Sequence, residues 1–247
     1  FGMYAAAVER GRKPDLLLAS CGGAIAAAVI AALPTDAQRR AWLASADMHR
    51  FLLNLRSTPR AAIPVALAAA VRRGIDARAA PRVPDLFNDY LFELPPVPLP
   101  AQDGPPQVAL AIIGAKLLFA PGEVGMPRGE RKLYAETVFC DERAAALLAG
   151  GASPVHGPDN AVAPDLLLDT GMAREDAVRS SIADMFYFRC HTVGADHYAG
   201  GVIDLFPIEL AHRLADQVIM ERKSPFHRLL ALPALRAVFG IDGNVRH

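Results

Sequence analysis

The chain has 247 residues, which is enough for one large domain or two small ones. Apolar residues make up 52% of it, charged residues 21%, and the formal net charge is zero, a composition typical of globular proteins. The balanced charge excludes the strongly basic composition of many nucleic-acid binding proteins, so we expect no nucleic-acid partner.

The first 34 residues contain alternating helix and strand signals. Residues 2–10 predict a short helix, the apolar run 16–19 predicts a strand buried on both faces, and the alanine-rich run 24–33 predicts a second helix. Residues 16–33 are uncharged and nearly long enough to span a membrane. The Ser-Cys-Gly-Gly sequence in their middle favours a strand, a tight turn and a helix instead, which indicates an α/β fold.

The middle of the chain has the pattern of a helical region followed by an extended connecting segment. Residues 36–78 predict helices interrupted by prolines, and the proline-dense residues 94–107 predict an extended connection. We interpret 36–107 as a helical cap with its connection, and ordinary packing helices are the alternative. Strands are predicted at 108–113 and 133–139.

The last third of the chain begins with a predicted loop at 150–164, which is rich in Gly, Pro, Asn and Asp. A helix is predicted around 176–181, a strand at 198–203, and an amphipathic helix at 209–220. The sequence has no internal repeat and no clear domain boundary. We therefore expect one domain that covers residues 1–247.

Cys21 lies where the first predicted strand meets the second predicted helix. A strained strand-to-helix turn that exposes a nucleophile requires small residues two positions before and two positions after it. Cys21 has Ala19 and Gly23 at these positions, whereas Ser20 would have the bulky Leu18. The spacing favours Cys21 as the nucleophile, and a small buried cysteine in a glycine turn is the alternative.

Three segments together resemble the patatin-like phospholipase family. They are Gly2-Met3-Tyr4 with the Val-Glu-Arg-Gly of 8–11, the strand and turn of 14–24, and the Ala-Val-Arg-Ser-Ser of 177–181 with the Tyr-Ala-Gly-Gly-Val of 198–202. The resemblance implies a three-layer α/β/α fold with a mostly parallel central sheet and a catalytic Ser–Asp dyad.

The sequence departs from this family at both dyad positions. The resemblance places Cys21 where the family has its serine and Ala199 where it has its aspartate. It implies oxyanion or substrate-binding roles for Gly22, Gly2 and Gly200, with the family's glycine-rich loop expected before Phe1.

A substitute base is needed to activate water, because Ala199 has no carboxylate. His197 is the candidate, since it is two residues earlier and would share a strand face with Ala199. A surface histidine without a catalytic role is the alternative. Asp184 and Asp216 are interpreted as solvated helix residues. The positive end of the helix after Cys21 is expected to lower the pKa of its thiol.

The sequence favours an acyl hydrolase or acyltransferase that acts on a lipid or another apolar ester or thioester. A thioester at Cys21 is the expected intermediate, and neither a cofactor nor a metal is implied. An inactive patatin-fold protein used for binding or assembly is the alternative, as is an engineered Asp-to-Ala substitution at position 199.

The three cysteines are too few for a disulfide framework and favour a reducing compartment. We therefore expect a cytoplasmic protein. Peripheral membrane contact through the apolar helices between residues 40 and 80 is a further hypothesis.

Overall fold

A computed structural model describes residues 1–76, 81–221, 224–228 and 231–245, except for the side chains of residues 70 and 72–76. The helices found there are α1 (Gly2–Glu9), α2 (Gly22–Ala32), α3 (Asp36–Leu43), α4 (Ala46–Leu53), α5 (Ile63–Asp76), α6 (Glu142–Leu148), α7 (Arg174–Ser181), α8 (Ile208–Leu214) and α9 (Ala231–Val238). The strands are β1 (Leu16–Ala19), β2 (Arg56–Ser57), β3 (Phe92–Glu93), β4 (Ala109–Leu117), β5 (Tyr134–Cys140), β6 (Leu167–Asp169), β7 (His191–Val193) and β8 (Asp196–Ala199).

Strand β4 is the centre of a six-stranded mixed sheet. On one side it pairs with β5, which pairs in turn with β6. On the other side β1 pairs with the first half of β4, and β8 pairs with the second half. The pairs β1–β4 and β5–β6 are parallel, while β4–β5, β4–β8 and β7–β8 are antiparallel.

Helices cover both faces of this sheet. Successive side chains of β4 point to opposite faces, so apolar residues of this strand must be buried on both sides. Ala111, Ile113 and Ala115 point into one buried cluster, which includes apolar residues of α6, α8 and α9. Ile112 points to the opposite face, into a cluster with apolar residues of α2 and α7. The two buried faces explain why β4 is apolar along nearly its whole length.

The expected α/β class is confirmed, as a mixed central sheet flanked by helices. The strand at 16–19 is found at the predicted residues, but the expectation that it is buried on both faces is wrong, because Leu16, Leu17 and Leu18 are only partly buried. Strands β4 and β5 begin within one residue of their predicted starts. The predicted helical stretch 36–78 contains α3, α4 and α5, while its last two residues lie outside the described part.

Two predicted elements near the C-terminus are wrong in length. The strand expected at 198–203 ends at Ala199, because the following glycine pair turns away and leads into a 3-10 turn, Gly201–Asp204. The helix expected at 209–220 ends at Leu214, where Ala215 takes an extended backbone conformation. No helix in the described residues is both long and apolar enough to cross a membrane.

Candidate active site

Cys21 occupies a strained turn between β1 and α2. Its backbone angles are φ 50° and ψ −129°, and a positive φ is uncommon for a residue other than glycine. A Cβ atom placed on Gly23 would lie 3.9 Å from the Cβ of Ala19, so these two positions face each other across the turn. The predicted strand–turn–helix with small flanking residues is therefore confirmed.

Ser181 ties this turn to the rest of the fold. Its hydroxyl oxygen accepts a hydrogen bond from the backbone N–H of Cys21 at 3.0 Å. The same hydroxyl donates to the backbone carbonyl of Ile113 in β4 at 2.6 Å. Ser181 is fully buried, so its two hydrogen bonds are shielded from water and link the turn, α7 and the central strand.

Asp184 is the carboxylate that contacts Cys21. The Cys21 thiol donates a hydrogen bond to Asp184 Oδ1, with Sγ and Oδ1 3.0 Å apart. The interpretation of Asp184 as a solvated helix residue is wrong, because α7 ends at Ser181 and Asp184 lies in the partly buried turn that follows. Its backbone carbonyl accepts from Tyr187 and Phe188 N–H groups at 3.1 and 3.0 Å, which holds this turn in place.

Burial sets the protonation of the pair at neutral pH. It raises the pKa of Asp184 to about 6, although the hydrogen bonds from Cys21 and from the backbone of Val202 lower it. Burial also raises the pKa of the Cys21 thiol well above its ordinary value, and the nearby charge of Asp184 raises it further. At pH 7 the proton therefore resides on sulfur, and Asp184 is mostly ionised.

This protonation state corrects the expectation of a lowered thiol pKa. That expectation considered only the N-terminus of α2, which does stabilise an anion. The turn is instead partly buried and faces a carboxylate, and both conditions disfavour a second negative charge. Cys21 is thus a thiol that needs a base, as a serine would.

The glycine pair after β8 is explained by the close packing around this site. A Cβ on Gly200 would overlap Asp184 Oδ1 and would lie 2.8 Å from the Asp184 backbone nitrogen. A Cβ on Gly201 would lie 2.6 Å from the Ile113 carbonyl oxygen and 2.9 Å from Ser181 Oγ. Because most of these neighbours are backbone or buried groups, a side chain at either position would push the site apart.

His197 and Ala199, the residues predicted at the position of the base, contact residues other than Cys21. His197 Nδ1 is 2.9 Å from the hydroxyl of Thr192, and its ring packs edge-on against Phe87. Ala199 is buried in the core opposite Ala115 of β4. The hydrogen-bonding partner of Cys21 is thus Asp184, which lies between α7 and the glycine pair.

The remaining candidate residues are two glycines at helix starts. Gly22 is the first residue of α2 and is exposed, and an N–H group at this position has no acceptor within its own helix. It directly follows Cys21 and can donate to an oxygen bound beside the sulfur. Gly2 is the first residue of α1 and is also exposed.

Asp184 could have been found from its sequence neighbours. Ile182, Ala183 and Met185 surround it with apolar side chains, and all three are buried. An aspartate in such surroundings is rarely solvated and usually has a partner. The identity of that partner, 163 residues earlier in the chain, has no local signal.

All three cysteines are free thiols, and the described residues contain no group of three or more His, Cys, Asp or Glu residues that could hold a metal ion. Comparisons of the chain with family models, curated proteins and solved structures found no match. The function is therefore inferred from the geometry around Cys21 and Asp184.

Replacing Ser181 with alanine is expected to destabilise the fold by about 1–3 kcal/mol, since it leaves two buried backbone groups without their partner. Ser180→Ala is the matched control. Ser180 is also fully buried, but its hydroxyl has no hydrogen-bond partner among the described residues. We expect Ser180→Ala to leave stability unchanged or to raise it. Urea unfolding of both variants measures the difference, and equal losses would contradict the role given to Ser181.

Asp184→Asn is expected to shift the alkylation of Cys21 by iodoacetamide to lower pH, because the variant removes the charge that opposes the thiolate. Mass spectrometry of the labelled peptide across a pH series measures the midpoint. Cys140 is the internal control, since its pKa of about 11 is set by burial and by other carboxylates. A midpoint for Cys21 that is the same in both proteins would contradict the contact with Asp184.

Proposed function

We propose that the protein is an acyl hydrolase or acyltransferase that uses Cys21 as its nucleophile and Asp184 as its general base. We call the strained turn between β1 and α2 the elbow. The observation that carries this proposal is the 3.0 Å hydrogen bond from the Cys21 thiol in this elbow to Asp184, whose carboxylate has a pKa of about 6. A base whose pKa lies near the working pH transfers protons efficiently in both directions.

The first step is the attack of Cys21 Sγ on the carbonyl carbon of an ester or thioester. As the S–C bond forms, the thiol proton passes to Asp184 Oδ1, so no free thiolate is needed. The electron pair of the carbonyl bond moves to its oxygen. The hydrogen bond that already joins Sγ to Oδ1 is the path of this proton.

The negative oxygen formed in this step needs hydrogen-bond donors. The N–H of Gly22 lies at the start of α2, directly after the nucleophile, and is the donor that the structure offers there. When the carbonyl re-forms, the bond to the leaving group breaks and Asp184 returns the proton to the departing oxygen or sulfur. Cys21 then holds the acyl group as a thioester.

The second half of the reaction uses the same base. Asp184 accepts a proton from water or from an alcohol, thiol or amine acceptor, which attacks the thioester carbonyl. The bond between carbon and Sγ breaks, and the proton passes to the sulfur. Cys21 and Asp184 regain their starting protonation states.

The resemblance to patatin-like phospholipases supports this proposal and suggests the substrate class. Three of the features that carry the resemblance are the elbow, the Ser-Ser end of α7 and the glycine pair, and they contact one another around Cys21. We propose a patatin-like fold in which Asp184 supplies the carboxylate that is missing at Ala199. The proposed substrate is a lipid or another apolar ester.

Cys21→Ala is expected to abolish hydrolysis of a p-nitrophenyl acyl ester, because it removes the nucleophile. Asp184→Asn is expected to lower kcat/KM by about 10²–10⁴-fold, the usual contribution of a general base. His197→Ala is the control that tests the other proposed base, and we expect it to retain most of the activity. A large loss in His197→Ala with little loss in Asp184→Asn would contradict the proposed dyad.

The pH dependence of kcat/KM gives a second test. Because only ionised Asp184 accepts a proton, activity is expected to fall about tenfold per pH unit as pH drops below about 6. Burial raises this pKa above its ordinary value, so the loss begins at a higher pH than for a solvated aspartate. An activity that rises only in the titration range of a free thiol would indicate thiolate catalysis without Asp184.

A further inference from the structure

The segment 48–75, which covers most of α4, strand β2 and most of α5, combines positive charge with exposed apolar side chains. It contains five arginines and neither aspartate nor glutamate, in a chain whose formal net charge is zero. We call it the basic apolar segment. Such a composition is typical of surfaces that bind anionic partners through apolar contact as well as charge.

Several large apolar side chains of this segment face solvent. Leu52 and Leu53 at the end of α4 are 56% and 69% exposed. Ile63, Leu67 and Val71 in α5 are 81%, 62% and 57% exposed. Single exposed apolar residues are ordinary, but this many within one short segment indicate an interaction surface.

Helix α5 presents its apolar stripe outward. Ile63, Leu67 and Val71 are spaced four residues apart and therefore lie on one side of the helix. Ala66 and Ala69 are half-buried, and α5 packs against α9. The outward stripe is thus additional to the side that the fold already uses.

Three arginines of the segment with described side chains, Arg50, Arg56 and Arg60, have exposed or partly exposed carboxylates near them. Arg50 forms an ion pair with Asp47, and Arg60 pairs with Asp89 at 3.0 Å. Arg56 is opposite Glu93 in the register of β2 and β3. Exposed pairs of this kind contribute little, so these arginines can exchange a carboxylate for a phosphate at small cost.

We propose that the basic apolar segment docks onto the surface of an anionic lipid bilayer. Leu52, Leu53 and the α5 stripe would enter the headgroup boundary, and Arg50, Arg56 and Arg60 would contact lipid phosphates. A second copy of the chain fits less well, because each copy would bring the same five positive charges to the interface.

This surface is connected to the turn that holds Asp184. Strand β2 pairs with β3, and the N–H groups of Leu91 and Phe92 donate to the carbonyls of Phe186 and Tyr187 at 2.8 and 2.9 Å. Tyr187 is itself exposed. A docked bilayer would thus contact a part of the fold that is hydrogen-bonded to the loop after Asp184.

Flotation of the full chain with lipid vesicles tests the proposal. Vesicles of phosphatidylcholine with phosphatidylserine are expected to carry the protein at low salt, and high salt is expected to weaken this binding. The double variant Ile63→Ser, Leu67→Ser is expected to bind at least about tenfold more weakly, since two apolar anchors are lost. Cys21→Ala is expected to bind vesicles as wild type does. A failure of the docking proposal can therefore be distinguished from a failure of the proposed catalytic function.

The control is the double variant Met126→Ser, Leu147→Ser. Both residues are large, apolar and exposed, at 48% and 49% against 81% and 62% for Ile63 and Leu67, and both lie outside the segment. This control is expected to bind vesicles as wild type, and thermal unfolding checks that both double variants fold. The proposal is overturned if wild type does not bind anionic vesicles or if both double variants lose binding equally. It is also overturned if sedimentation shows a dimer that Ile63→Ser, Leu67→Ser dissociates.

Discussion

The hydrogen bond between Cys21 and Asp184 is the interaction on which the candidate site depends. It joins an elbow built near the start of the chain to a turn built 163 residues later. Around it, Ser181 connects the elbow to β4, and the two glycines after β8 leave room for Asp184 and for the serine hydroxyl. The surroundings of this contact set the chemistry. Burial and the charge of Asp184 keep the proton on sulfur, and burial raises the pKa of the carboxylate.

The elbow could be predicted from the sequence because its requirements are local. Residues 16–32 contain an apolar strand, two small residues and an alanine-rich helix, and each has a recognisable pattern. The pairing of Asp184 with Cys21 could not be predicted in the same way. Asp184 follows a helix in the sequence, and only the packing of α7 against α2 and β4 brings it to Cys21.

The thiol pKa shows the same limit of local reasoning. The position of Cys21 before α2 indicates an environment that favours an anion, and the helix is indeed present. The burial of the turn and the approach of Asp184 come from tertiary packing, and they act in the opposite direction. The glycine pair depends on tertiary packing as well, because the groups that exclude a side chain at Gly200 and Gly201 come from distant parts of the sequence.

Our two proposals concern different parts of the fold, namely an acyl-transfer site at Cys21 and a membrane-docking surface on the basic apolar segment. Their connection runs through β2, β3 and the loop after Asp184, rather than through a shared cavity. The two proposals therefore assign catalysis and docking to separate residues of one fold.

The most direct measurement of the central claim is the trapping of the acyl intermediate. The protein is mixed with an activated acyl ester, quenched in acid within one turnover, and digested for mass spectrometry. The expected result is one acyl group on Cys21, removable by hydroxylamine as a thioester is, and absent after substitution of Asp184 by asparagine. Ester turnover without acylation of Cys21, or an acyl group on Ser20 instead, would contradict the account.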